Sequence, residues 1–126
     1  MSAARILVAD DEDFIALLIA ELLLDHEYEV QIVYNGRDAI KAVCEQPPDL
    51  VITDIMMPHA TGIELLTRMR EHEKTRNTPV ILMSAAVSPS VRDEKVRFIP
   101  KPFNIQAVLD TVTQSLGGSK QQHQPA

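Results

Sequence analysis

The stretch Val51-Ile52-Thr53-Asp54-Ile55-Met56-Met57-Pro58 constrains this chain more than any other. Three apolar or β-branched residues run into a single carboxylate, and a proline soon after stops any strand. A short apolar run bounded by a breaker reads as a strand buried on both faces, the pattern of a parallel sheet. Asp54 then stands where a central strand ends. Open parallel α/β sheets bind ligands just outside the carboxyl ends of their strands, so the rest of the chain has to supply this carboxylate with neighbours.

Four further runs have strand character. Arg5-Ile6-Leu7-Val8-Ala9 ends abruptly in Asp10-Asp11-Glu12-Asp13 and reads as the first strand. Glu29 to Tyr34 alternates and stops at Asn35-Gly36, giving a second strand with one wetter face, at an edge. Asp49 to Thr53 is the third, Pro79 to Met83 the fourth, running into Ser84-Ala85-Ala86, and Val96 to Ile99 the fifth, closed by Pro100-Lys101-Pro102. Helical spacing fills the intervals. A first helix is expected from Asp13 to Asp25. A second runs from Arg37 to Glu45, with Ala39, Ile40, Val43 and Cys44 on its apolar side and Pro47-Pro48 as its stop. Thr61 and Glu64 fit a capping box that opens a third, to about Glu73. Ser88-Pro89 has the chemistry of a cap and first position for a short fourth helix. Asn104 caps a fifth that carries Ile105, Val108, Leu109 and Val112. The expectation is an α/β fold: a doubly wound, five-stranded parallel sheet, order 2-1-3-4-5, with helices on both faces.

The length fits one domain with a core of its own. We expect it to span residues 1–116, followed by a polar, disordered tail over 117–126. Acids outnumber Lys and Arg by 18 to 12, which argues against direct nucleic-acid or anionic-membrane binding, since phosphate contacts need clustered cations. The single Cys44 excludes an internal disulfide and suits a reducing compartment. No apolar run reaches membrane-spanning length, and Asp10 cuts off Ile6 to Ala9 before it could serve as a signal peptide core. A cytoplasmic location is therefore expected, without membrane insertion.

Acids at the start of the first helix suit its dipole, which accounts for Glu12 and Asp13. That leaves Asp10 and Asp11, at the strand terminus itself, without a structural reason. Glu21 and Asp25 mark the wet side of the helix, and counting back along it reaches Leu18, Leu17 and Phe14. Two readings stay open: a thickly buried helix, or an apolar docking patch for a partner helix.

Parallel topology lines up Asp10-Asp11, Asp54, Ser84 and Lys101 along one rim. Three crowded carboxylates repel one another unless a cation or protons intervene, and hard oxygen ligands suit Mg²⁺. A lysine opposite them neutralises an anion beside the metal, and a hydroxyl can donate to it. Such a site binds a phosphoryl group next to Mg²⁺, with Asp54 as nucleophile. Any one of these residues is a weak signal; all of them at strand ends in this order is a strong one.

From about Arg5 to Leu116 the chain resembles the receiver domains of two-component response regulators. The resemblance is carried by Ile6-Leu7-Val8-Ala9-Asp10-Asp11-Glu12, by Asp54 with Met57-Pro58 and Gly62, by Ser84-Ala85, and by Lys101-Pro102-Phe103. The order 2-1-3-4-5 is as much a property of that family as a deduction from topology. The resemblance implies that Asp54 accepts a phosphoryl group from a histidine kinase or histidine phosphotransfer protein. It implies that Asp11 ligates Mg²⁺ directly, Asp10 largely through water, and the Met56 main-chain carbonyl completes the metal site. Lys101 would pair with phosphoryl oxygens, with Lys101-Pro102 cis. Ser84 and Phe98 would form the switch that alters binding to a downstream protein target. Phe14, Ile15, Leu18, Pro102 and Phe103 would dock the donor.

Two departures from the family pattern stand out. The interval from Ser84 to Lys101 is several residues shorter than usual and lacks the customary Gly-Ala before the last strand. The fourth helix is therefore expected to be short or irregular, and the usual dimer through it is not expected. Met56 and Ala86 also offer no polar group to aim a hydrolytic water, so slow self-dephosphorylation is expected. As expected, then, the domain is a phosphoacceptor and not an enzyme in its own right. It would serve as a stand-alone receiver, a phosphorelay intermediate, or an excised part of a larger regulator or hybrid kinase. An aspartate-nucleophile phosphatase needs a second Asp where Met56 stands, and a flavin phosphate would be repelled by Asp10 to Asp13. A pseudo-receiver scaffold is disfavoured because no site residue is missing.

Overall fold

The computed structural model describes residues 3–86 and 89–122. Its five strands are β1 (Arg5–Ala9), β2 (Glu29–Val33), β3 (Leu50–Asp54), β4 (Val80–Ser84) and β5 (Val96–Pro100). All neighbours are parallel, in the order β2-β1-β3-β4-β5. Among the described residues there are four helices: α1 (Asp13–Asp25), α2 (Gly36–Glu45), α3 (Gly62–Glu71) and α4 (Ile105–Gln122). The doubly wound sheet is as expected, with one helix fewer.

Alternation along the strands divides the core into two layers. Leu7, Ala9, Val51, Val80 and Leu82 face α2 and α3, where Ala39, Val43, Leu65 and Met69 close over them. Ile6, Val8, Leu50, Ile52, Ile81 and Met83 face the opposite way, toward Ile19 and Leu23 of α1 and Val108 and Val112 of α4. β3 and β4 are buried at every position, while the edge strands β2 and β5 are partly exposed. Fully burying one such aliphatic side chain contributes roughly 1.5–3 kcal/mol. Two unit charges 4 Å apart near a protein surface interact by about 4 kcal/mol or less. A few core residues thus offset the repulsion of acids collected at one rim.

Local signals set most helix starts as expected. Thr61 and Glu64 form a complete capping box on α3, and Asn35 accepts from the Asp38 amide at the start of α2. Asn104 accepts from the Ala107 amide at 2.7 Å before α4. The acid expected to cap α1 does not do so: Glu12 occupies the cap position but makes no side-chain cap bond.

The crossover from β4 to β5 differs from the expected cap-and-helix. Ser88 lies outside the described residues, and residues 89–95 contain no helix. The segment is held instead from outside itself. Arg70 of α3 donates through Nε to Asp93 at 2.7 Å and through Nη1 to the carbonyls of Thr75 and Thr78. Val91 packs onto the α2–α3 layer, and Asp93 accepts from the Lys95 amide.

Cys44 is a second correction. It lies on α2 but is exposed, because the helix turns Ala39, Ala42 and Val43 inward. At the C-terminus, the helical backbone breaks at Gly117, next to the expected domain end, and then continues to Gln122 where a disordered tail was expected.

Candidate functional site

Each strand that reaches the site ends on or just before a functional residue. β1 delivers Asp10, β3 ends on Asp54, β4 ends on Ser84, and β5 leads into Lys101. The strand ends are stitched together by the backbone, with the Ile55 amide donating to the Met83 carbonyl at 2.9 Å and the Lys101 amide to the Ser84 carbonyl at 2.8 Å. The Lys101-Pro102 peptide is cis, as the family resemblance implied.

Lys101 is the centre of charge. Its Nζ lies 2.9 Å from Asp10 Oδ2, 3.1 Å from Glu12 Oε1 and 3.3 Å from Asp54 Oδ2. Asp10 is completely buried and Asp54 nearly so. Burial would lower the Lys101 pKa, but the hydrogen bonds to Asp10 and Glu12 and the charges of Asp10 and Asp54 outweigh it and raise it. Asp54 is raised by burial first and by the Asp10 charge second, against the opposing pull of Lys101, with Asp11 adding to the rise. The Asp54 carboxylate thus sits in an environment that disfavours its own charge, a condition that an additional cation relieves.

The structure brings together Asp10, Asp54, Ser84 and Lys101, as the sequence indicated. One carboxylate oxygen each from Asp10, Glu12 and Asp54 lies within 4.8 Å of the others. Asp11 is exposed and outside that group, though its charge reaches Asp54. Glu12 is the residue that sequence reasoning missed as part of the site. Its helix-starting position explained it too easily, although the Asp-Asp-Glu run contained the signal. Hard carboxylate oxygens converging at the ends of β1 and β3 fit a small divalent cation such as Mg²⁺.

The remaining candidates fall around this centre. Ser84 is buried, and its Oγ accepts from the Ala86 amide at 3.0 Å. Phe98 is half-buried, beside Leu82 in register, and packs on the α2–α3 layer. Met56 is exposed in the loop after β3. On α1, Phe14, Leu17 and Leu18 are exposed and Ile15 is half-buried against the core, so the first helix carries an uncovered apolar strip. Pro102 is exposed, and Phe103 is half-buried against the α1–α4 layer.

A doubly wound parallel sheet with an acidic cluster and a lysine at its switch point defines a class of domain with a candidate cation site at the carboxyl ends of its strands. Residues 6–113 match the family model of the response regulator receiver domain, and the chain belongs to that family. It is 40% identical to the 3',5'-cyclic-nucleotide phosphodiesterase regA of Dictyostelium discoideum, over 91% of this chain and 16% of that protein. It is 35% identical to the DNA-binding transcriptional regulator NtrC of a Bradyrhizobium strain, over 96% of this chain and 26% of that protein. The chain therefore spans only about a sixth to a quarter of the length of these two relatives. Among solved structures, Vibrio cholerae chemotaxis protein CheY4 superposes with a TM-score of 0.83 at 28% identity, covering 91% of this chain and all of that one. The family is regulatory, and accepting a phosphoryl group is its general role. Among the described residues no helix is long and apolar enough to cross a membrane.

Proposed function

We propose that Asp54 accepts a phosphoryl group from the phosphohistidine of a histidine kinase or phosphotransfer protein, and that the modified domain then binds a downstream protein differently. The observation that carries this reading is the sharing of Lys101 by Asp54 and the fully buried Asp10 at the ends of adjacent strands. An Asp54 oxygen attacks phosphorus, a P–O bond forms and the P–N bond to the donor imidazole breaks. The electron pair stays on the imidazole nitrogen, which takes up a proton. Lys101 meets the incoming phosphoryl oxygens, and Ser84 donates to one of them.

Asp10, Asp11 and Asp54, with the main-chain carbonyl of Met56, are the residues we assign to Mg²⁺. When bound, Mg²⁺ neutralises the developing charge on the phosphoryl oxygens. A solved receiver domain from Pseudomonas aeruginosa sensor histidine kinase PA1611, whose 21% identity supports the fold alone, has a magnesium ion in its active-site cleft. Phe14, Ile15 and Leu18, with Pro102 and Phe103, are proposed to dock the donor, because Phe14 and Leu18 are exposed apolar side chains on α1 and Pro102 and Phe103 directly follow Lys101. Ser84 and Phe98 are proposed to report phosphorylation outward, since they lie on the two strands that flank the β4–β5 crossover. We place this chemistry in the cytoplasm and the domain boundary at residue 116.

Intact mass after incubation with acetyl phosphate, with and without Mg²⁺, tests the proposal. A single phosphoryl adduct is expected that requires Mg²⁺ and disappears in Asp54→Ala. A folded wild type that takes up no phosphoryl group would refute the reading and favour a phosphorylation-independent scaffold. Steady-state release of inorganic phosphate from simple phosphoesters would favour an aspartate-nucleophile phosphatase.

A further inference from the structure

Three carboxylates meet one ammonium in this site. Lys101 Nζ is within 3.3 Å of oxygens from Asp10, Glu12 and Asp54. Two of the three N–H donors of the ammonium are hydrogen-bonded to Asp10 and Glu12, and Asp54 Oδ2 stands at ion-pair distance, so the resting site is crowded for a fourth oxygen. A phosphoryl group arriving at Asp54 brings several oxygens that compete for Lys101 with the two carboxylates hydrogen-bonded to it.

The three are not equivalent. The Asp10 side chain is fully buried, and its other oxygen accepts from the Glu12 amide at 2.9 Å. Releasing it from Lys101 would leave a buried charge without its partner. Asp54 is the acceptor itself. The Glu12 side chain is 61% exposed and can turn into water. It caps nothing on α1, so the helix does not depend on its position.

We infer that Glu12 is a displaceable tether on Lys101, holding the ammonium over the acid cluster in the resting site and releasing it to an incoming phosphoryl oxygen. The inference rests on the reading of Asp54 as phosphoacceptor. Glu12 is a positioning residue: it makes and breaks no covalent bond. With acetyl phosphate, Asp54 forms the new P–O bond while the bond to the acetyl oxygen breaks and acetate leaves with the electron pair.

The test compares wild type, Glu12→Gln and Glu12→Asp as full chains, with the rate of phosphorylation by acetyl phosphate read by intact mass at saturating Mg²⁺. Weakening an exposed ion pair frees Lys101, so Glu12→Gln is expected to react roughly two- to fivefold faster. Glu12→Asp keeps the charge but is one methylene too short to reach, and is expected to match Glu12→Gln. Without Mg²⁺ or phosphodonor, the Lys101 ¹⁵Nζ resonance is expected to shift and its protons to exchange faster in both variants. A Glu12→Gln rate at or below wild type overturns the inference. So does Glu12→Asp behaving as wild type, which would mean that Glu12 acts through its charge and not through contact. A folded wild type that accepts no phosphoryl group refutes the phosphoacceptor reading, and the tether with it; an active wild type with an unresponsive Glu12→Gln refutes the tether alone.

Discussion

The Arg70 guanidinium, at the end of α3, meets the Asp93 carboxylate at 2.7 Å across the crossover that leads into β5. The two residues are 23 positions apart, and the bond ties together segments that share no regular element. Arg70 also donates to the carbonyls of Thr75 and Thr78, so one side chain organises both the loop after α3 and the crossover.

This pair is expected to be a stability element with a defined pH range. Burial acts to raise the Asp93 pKa, but the Arg70 hydrogen bond, the Lys95 amide and the two nearby cations outweigh it and hold it below the ordinary carboxylate value. A depressed carboxylate stabilises the fold above its unfolded pKa and loses that contribution as pH falls through its folded one. Asp93→Asn is expected to cost about 1 kcal/mol near neutral pH, with the gap to wild type closing below the usual carboxylate range. Urea unfolding at the two pH values measures it. Arg70→Ala should cost more, because the Thr75 and Thr78 carbonyls lose their donor as well.

Close backbone approach makes Gly36 and Gly62 sensitive positions. A Cβ on Gly36 would overlap the Ala60 carbonyl, and one on Gly62 the carbonyl of Asp54 itself. Either alanine substitution is expected to cost roughly 1–3 kcal/mol through forced backbone shifts. Gly62→Ala should also slow phosphorylation of the protein that remains folded, because the displaced backbone carries Asp54, the proposed acceptor. An unchanged melting temperature and rate for Gly62→Ala would contradict the packing described.

Asp54→Asn is expected to abolish phosphorylation and, in Mg²⁺-free protein at neutral pH, to raise the melting temperature. The sign follows from the raised pKa of Asp54. A group raised in the folded state favours its protonated form, so the charge imposed as pH climbs through that pKa destabilises the fold. Asparagine removes the charge, and Lys101 keeps Asp10 and Glu12. A lower melting temperature would show that the Lys101 pairing outweighs burial and repulsion.

The phosphorylated form is expected to decay slowly. Met56, two residues past Asp54, is exposed and apolar, and Ala86 beside Ser84 has no polar side-chain atom to orient water. Met56→Asn supplies one and is expected to hasten dephosphorylation by on the order of tenfold. Loss of the phosphoryl mass over time reads this directly, and a wild type that decays faster than the variant would be contrary to it.

The sheet was legible because its signals are local or short in range. Apolar runs of strand length, caps at Asn35, Thr61 and Asn104, and proline stops each act within a few residues. The same locality says little about Ser88-Pro89. Cap chemistry there indicated a helix start at Ser88, which lies outside the described residues; residues 89–95 contain no helix, in keeping with a short or irregular fourth helix, and are anchored by Arg70, a partner no local pattern reveals. Cys44 followed the same course: helical spacing allowed it inside, but α2 turns Ala39, Ala42 and Val43 to the core and leaves Cys44 exposed.

At the site the division is similar. The amino-acid sequence alone determined which residues end the strands, and so that Asp10, Asp54, Ser84 and Lys101 would line one rim, because a parallel sheet brings the carboxyl ends of its strands together. Only the tertiary structure decided how the charges are shared among them. Glu12 reaches Lys101 from 89 positions away while Asp11, next to it, points to solvent. That choice depends on side-chain direction at the end of β1 and on the burial of Asp10, which exist only once the sheet and its two helix layers have assembled.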